Sequence, residues 1–398
     1  GQITSGAENS IGVYATGATA STGISGGNIT AQNGGIAFYS GDNATINISG
    51  SNVITAKAGG LAFYNHVNSG TVTGKYNISA TSSLKVEEGG MLLYANVSSL
   101  SDIPGIAAAI KSAFTGANNM TANMDQGSNI MYIDSSGGSA YITDFTGLPD
   151  ITTGFFNFIG TGYNQYVMNG FDLILNNSAE SDLDSGSYGK IQFINTNVTV
   201  ANGINVTGTQ SNQIAIAQRN AIGGTVSGIN IINNGTISLT GLLSTAIAGD
   251  FITMKNAATG KIAIGANSIG MYSANGSVAV NEGEIKLNSG SIGMYGKNDF
   301  ESPPAPPAAY GDRKINIENQ KDIKTVSGGV TGDAFGIFAD NGLTLADSSV
   351  NLTSASNIDL KGTGKVIGAY LKTTNLTSAG TITVESTTGG TSVGIYSV

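Results

Sequence analysis

The chain has 398 residues, with 58 glycines, no cysteine, one histidine and a formal net charge of −9. The lack of cysteine excludes a disulfide framework, a thiolate nucleophile and cysteine metal sites. The thin acidic charge excludes the basic face that nucleic-acid binding requires. Charged residues are only 11% against 40% apolar ones, and Ile, Val and Leu spaced by small polar residues favour strands and tight turns over helices.

From the N-terminus, "GQITSGAENS" has no secretory-signal pattern, so the chain is read as a mature or excised part of a larger protein. No apolar run reaches the length of a membrane span. A phrase ending in an aromatic residue then recurs: "IGVYA" (11–15), "IAFYS" (36–40), "LAFYN" (61–65) and "MLLYA" (91–95). Tyr14, Tyr39 and Tyr64 are 25 residues apart. Each interval holds two further short alternating runs, such as "ATINIS" and "NVITA" after Tyr39. Three short strands per period match one coil of a parallel β-helix, whose apolar face is buried only by stacking on its neighbours. The fold class predicted for 1–96 and 191–398 is all-β, a right-handed parallel β-helix with three short strands per coil. In "IAFY", Ile36 and Phe38 are assigned inward, and Ala37 and Tyr39 outward. This predicts an external aromatic ladder beside an external track of small residues.

Residues 97–190 break the pattern and are predicted to be an inserted α/irregular subdomain. "SDIPGIAAAIKSAF" (101–114) reads as a helix, with Pro104 in its first turn and Ile106, Ile110 and Phe114 on one face. An aromatic-rich segment (141–171) follows, then a polar acidic one (175–189). Glu180, Asp182 and Asp184 alternate as Ca²⁺ ligands can, but the spacing is not that of an EF-hand. The stretch is read as a solvated acidic loop, and no metal or cofactor site is expected.

The coils resume at about 191, with "IGMYS" (269–273), "IGMYG" (292–296), "FGIFA" (335–339), "IGAYL" (367–371) and "VGIYS" (393–397). Pro303, Pro304, Pro306 and Pro307 mark an extended loop at 297–313. No catalytic site is expected: Arg219 has no acid nearby in sequence, Asp is rare within the coils, and His66 reads as an exposed turn residue.

The "SIGMYS", "SIGMYG" and "SVGIYS" phrases, with "NEGEIKL" and "AGTITV" between coils and no cysteine, resemble the passenger domain of a type V autotransporter. They are most similar to the large fusobacterial outer-membrane adhesins, over 1–96 and 190–398. The resemblance implies display at the bacterial surface through a C-terminal outer-membrane barrel, with non-covalent adhesion to a host receptor, a glycan or a partner bacterium. Phe155, Phe156, Tyr163 and Tyr166 in the aromatic segment are the expected contacts, unless they form that segment's own core. The alternatives are a structural stalk or, more remotely, a β-helix enzyme that degrades polysaccharide.

Overall fold

The structure, a computed structural model, describes all residues except 66, 69–70, 98–102, 136–140, 143–149, 187, 220–228, 299–313, 342–347 and 388. Two compact units are present. Residues 1–140, 145–171 and 190–193 form unit 1, and 141–144, 172–189 and 194–398 form unit 2. Among the described residues every strand pairing in the five large sheets is parallel, and the antiparallel pair is the hairpin Val67–Asn68 with Thr71–Val72. The chain is a parallel β-helix.

In unit 1 the rungs alternate between two sheets. Sheet I begins Gln2–Ser5, Ser21–Ala31, Thr45–Ala56. The two long strands do the work of two short ones, bending where the register slips between Ser25 and Gly27. The next rung splits into Lys75–Ile78 and Ser82–Val86, each on one half of Thr45–Ala56. Sheet II holds the aromatic strands Ile11–Ala15, Ile36–Ser40, Leu61–Asn65, Met91–Val97 and Asn129–Ser135, followed by Asn164–Asn169.

The Gly-Gly pair before Ile36–Ser40, Leu61–Asn65 and Met91–Val97 has two separate causes. Gly34, Gly59 and Gly89 have φ of 84°, 69° and 70°, a left-handed turn that favours glycine. Their N–H groups donate up the stack, Gly34 to Gly59 O at 2.8 Å and Gly59 to Gly89 O at 3.0 Å. The second glycine is needed for space: a Cβ on Gly60 would run into the carbonyl of Ala31.

Unit 2 has three sheets. Sheet III includes Asn230–Asn233, Thr253–Asn256, Val278–Asn281, Asn316–Asn319, Ser349–Leu352 and Asn375–Ser378. Sheet IV runs Asn205–Gly208, Thr236–Leu239, Lys261–Ile264, Glu284–Leu287, Asp322–Thr325, Asn357–Gly362 and Thr381–Ser386. Sheet V runs Ile214–Arg219, Thr245–Asp250, Ile269–Ala274, Ser291–Lys297, Ala334–Asp340, Lys365–Lys372 and Thr391–Ser397. In-register pairing stacks like on like, so Ile237, Ile262, Ile285, Ile323 and Ile358 form one buried column. Each such side chain is worth about 1.5–3 kcal/mol of burial.

Two expectations change. The second residue of the aromatic phrase faces in, not out. Ala37 and Phe38 are both 0% exposed while Ile36 is half-buried, and Ile269–Ala274 repeats the arrangement with Gly270 and Met271 buried. Two consecutive residues point inward because the strand is locally irregular there, and the paired register omits that position. The track of small residues is therefore internal: a Cβ on Gly293 would lie 2.6 Å from Gly336 O and 2.7 Å from Ile323 Cγ2. The aromatic ladder itself faces out as expected, with Tyr39, Tyr64 and Tyr94 half-buried.

The second change concerns 97–190, expected as an inserted subdomain. Much of it forms rungs. Met120–Met124 pairs with Ser82–Val86, and Asn129–Ser135 with Met91–Val97, which places Tyr132 over Tyr94. Asn157–Ile159 and Asn164–Asn169 continue the two sheets. The helix is present as α1, Ile103–Ser112, with Ile103, Ile106, Ala107 and Ile110 buried. It lies in the connection between two rungs, and Phe114 belongs to a following short strand paired with Tyr76. Of the proline-rich loop, 299–313 lie outside the described residues, as does His66.

Candidate interaction surface

The expected contacts Phe155, Phe156 and Tyr166 are core residues, only 4%, 3% and 2% exposed. Phe155 and Phe156 sit 4.2 Å apart and both meet Phe114 edge-on, at 5.3 and 5.4 Å. Phe63 reaches the same group, 5.2 Å from Phe114 and 6.1 Å from Phe156. These rings fill the interior of unit 1, each removing large apolar area from water, and they cannot serve as a contact surface. Tyr163 is half-buried, its ring 6.4 Å from Phe158. Aromatic density in the sequence marked a ring-filled core.

The external ladder is the second candidate. Tyr14, Tyr39, Tyr64, Tyr94 and Tyr132 stack with centroids 4.9, 4.9, 5.0 and 5.9 Å apart and ring planes within 20°. Rings stacked in this way cover one another's faces and present edges to solvent. Within the stack no ring face is left open for a sugar to lie on. Burial, with Asp134 nearby, pushes the Tyr132 hydroxyl up to about 12, so it stays protonated at neutral pH. The phrase "NIMYIDS" carried the signal for Tyr132, masked by the 38 residues that separate it from Tyr94.

The alternating acids are engaged in local structure. Asp184 accepts the Thr209 N–H at 2.8 Å, the Thr209 hydroxyl at 2.7 Å and Gln213 Nε2 at 2.7 Å. The Thr209 hydroxyl leads the hydrogen bonds that hold this carboxyl below the usual range. Asp182 accepts from the N–H of Asp184 and the hydroxyl of Ser185. Among the described residues no group of three or more His, Asp or Glu is placed to hold a metal ion.

The connections single out one corner. In unit 1, sheet I passes to sheet II through turns of four or five residues at every rung. Of the described residues, the return corner carries 67–68, 71–74, 103–113 and 150–156. At the unit 1 corner the hairpin Val67–Val72 and α1 pack together. Lys111 near the helix end donates to Asp150 O at 3.0 Å and Thr153 O at 2.8 Å, and Asp150 is itself held by Thr152. Gly105, Ala108 and Ser112 face solvent. A second exposed feature lies between sheets IV and V, where Leu242 and Leu243 are 49% and 60% exposed. Leu243 has φ 55°, a left-handed conformation that the equivalent turns give to Asn212 and Asn267 and that strains a leucine.

Comparison with known protein families, with curated proteins and with solved structures finds no match.

Proposed function

We propose that this chain is the passenger portion of a bacterial cell-surface adhesin that binds a host receptor, a glycan or a partner bacterium without covalent chemistry. The observation that supports this reading is the packing of α1 and the Val67–Asn68/Thr71–Val72 hairpin at one corner of unit 1, where the other connections are short. In solenoids, insertions on one face commonly build the binding surface, because a rigid stack holds them in place. The surface put forward is the unit 1 corner of α1 and the Val67–Val72 hairpin. The composition and repeats that resemble autotransporter passengers supply the cell-surface and outer-membrane part of the proposal.

The test is binding of the purified chain to host epithelial cells and to bacteria by flow cytometry. Ala108→Arg with Ser112→Arg changes only the solvent face of α1, and basic residues suit the end of a helix. Loss of binding in this variant, with an unchanged melting temperature, supports the corner. Loss only in Leu242→Ser with Leu243→Asn moves the site to the corner between sheets IV and V. The stalk reading rests on the ladders, which serve only to hold rungs together, and it expects no binding by any form of the chain.

A further inference from the structure

Asparagine followed by glycine is chemically unstable, because glycine has no Cβ to shield its amide nitrogen from the asparagine side chain. The sequence holds this pair at Asn33, Asn169, Asn202, Asn234, Asn275 and Asn341. The reaction needs a side-chain amide that is free to turn and a glycine N–H that is free to lose its proton. The fold decides which pair has both.

Most of the pairs are held. Asn169 Nδ2 donates to Asp134 Oδ1 at 2.8 Å. Asn275 is 6% exposed, and its Nδ2 donates to Asp250 Oδ1 at 3.0 Å. Asn341 is 1% exposed, and its Nδ2 donates to Thr373 O at 3.2 Å. After Asn234, the N–H of buried Gly235 donates to Asn233 Oδ1 at 3.2 Å. Asn33 is exposed, yet the Gly34 N–H belongs to the turn stack of unit 1 and donates to Gly59 O at 2.8 Å. Freeing that N–H would break a contact between rungs.

Asn202 and Gly203 differ from all of these. They are the central residues of the turn between the strands Asn197–Val200 and Asn205–Gly208. The Ile204 N–H donates back to Ala201 O at 3.2 Å, and Gly203 has φ 81°, as the third residue of a type II turn requires. Both central residues are exposed. Among the described residues nothing accepts the Gly203 N–H and nothing bonds the Asn202 side chain. A Cβ on Gly203 would meet nothing within 4 Å, so the space beside its nitrogen is open.

We propose that Asn202 is a site of spontaneous modification, its side-chain amide lost to the nitrogen of Gly203. That nitrogen gives up its proton to solvent base and attacks Asn202 Cγ. The bond from Cγ to Nδ2 breaks, ammonia leaves, and a cyclic imide closes between the two residues. Water then opens the imide at either carbonyl, giving aspartate or isoaspartate. Water is the only co-reactant, and nothing is oxidised or reduced. Either product adds a negative charge to the turn. In isoaspartate the main chain runs through Cβ, so the turn gains a carbon and its Ile204 to Ala201 bond must be remade. The bond from Thr236 N–H to Ile204 O, at 2.8 Å, is the rung contact nearest the change.

The test holds the purified chain at mildly alkaline pH and follows each pair over time by peptide mass spectrometry, with isoaspartate counted by enzymatic methyl transfer. Asn202 should convert first, about tenfold faster than Asn33, the factor by which a hydrogen bond of ordinary strength protects the Gly34 N–H. In urea the fold no longer separates the pairs, and Asn202 and Asn33 should convert at similar rates. Asn202→Ser should remove the early acidic species seen by isoelectric focusing and leave the melting temperature unchanged. Any other pair converting as fast as Asn202 in the folded chain overturns the proposal. So does a stable Asn202, or a preference for Asn202 that persists in urea.

Discussion

The two units solve one problem with different chemistry. Parallel in-register stacking places equivalent positions above one another, so a buried rung position favours groups that pair with themselves. Unit 1 meets this with rings: Phe38 on Phe63 inside at 5.2 Å and the five-tyrosine ladder outside. Unit 2 meets it with buried amides. Asn233, Asn256, Asn281 and Asn319 are each 0% exposed, and each Nδ2 donates to the next Oδ1 at 2.8, 2.8 and 2.7 Å. The series ends on Ser356 Oγ, 2.6 Å from Asn319 Nδ2. A second column uses serine: the hydroxyl oxygens of Ser244, Ser268 and Ser291 accept N–H groups of the preceding rung at 3.0–3.2 Å. Ring stacking tolerates misalignment, as the outer ladder of unit 2 shows, with Tyr272 and Tyr295 at 65° but Phe338 and Tyr370 at 8°. An amide ladder does not, because one missing partner strands a buried donor and a buried acceptor.

The largest effect expected is in the ring-filled interior. Phe156→Ala should destabilise unit 1 by about 3–5 kcal/mol, read as a shift in the urea unfolding midpoint. A loss below 1 kcal/mol would mean the ring is not part of the core and would reopen it as a contact. In unit 2, Asn256→Leu keeps the branched shape but removes the donor to Asn281 Oδ1 and leaves Asn233 Nδ2 only its 3.3 Å bond to Lys261 O. The expected loss is about 2–4 kcal/mol, and a neutral result would remove the amide ladder as the counterpart of the rings.

The rung phrases were readable because an aromatic at a fixed offset from Gly and apolar residues is conspicuous, and α1 because Ile106 and Ile110 keep a helical period after Pro104, although Phe114, read on the same face, falls in the short strand beyond it. The amide ladder is equally legible. "NIIN", "TMKN", "VAVN" and "NIEN" are four strands that each end in Asn. The inward turn of Ala37 and Gly270 was not legible, since strict alternation is the only rule sequence offers for a strand and a local irregularity overrides it. Nor could composition tell whether Phe155 and Phe156 face solvent or one another. That depends on Phe63 and Phe114, brought in from distant rungs.

The ladder on the surface of unit 1 should matter less than its core. Tyr39 lies between two stacked neighbours, so Tyr39→Ala loses two ring contacts at about 0.5–1.5 kcal/mol each. Tyr14→Ala loses one. Tyr39→Phe keeps both and should be nearly neutral, because the Tyr39 hydroxyl, raised in pKa mainly by burial, is not ionised at neutral pH. Chemical denaturation of the three variants gives the order, and equal losses at Tyr14 and Tyr39 would show that the stack adds nothing beyond burial.

Where unit 1 shows rings on its outer face, sheet IV of unit 2 shows ions. The smallest effect is expected there. Glu284 lies 3.2 Å from Lys286 Nζ and is also bridged by Lys324. Partial burial raises its pKa, but the hydrogen bonds and charges of Lys324 and Lys286 outweigh this and leave it lowered. Lys324 is raised, chiefly by its hydrogen bond to Glu284. The contribution of Glu284 is therefore complete above the ordinary carboxylate pKa of about 4.3 and disappears as pH falls through the lowered value. That of Lys324 is complete below the ordinary lysine pKa of about 10.4 and is lost as pH rises through the raised value. Glu284→Gln should cost under about 1 kcal/mol at pH 7, because the pair is solvent-accessible. The difference from the parent should vanish at strongly acid pH and shrink in 1 M salt, where screening acts within about 3 Å. Urea midpoints at both pH values and both salt concentrations check this. A larger loss that ignores salt would make the ion network a third self-pairing column of unit 2, equal in rank to its asparagines.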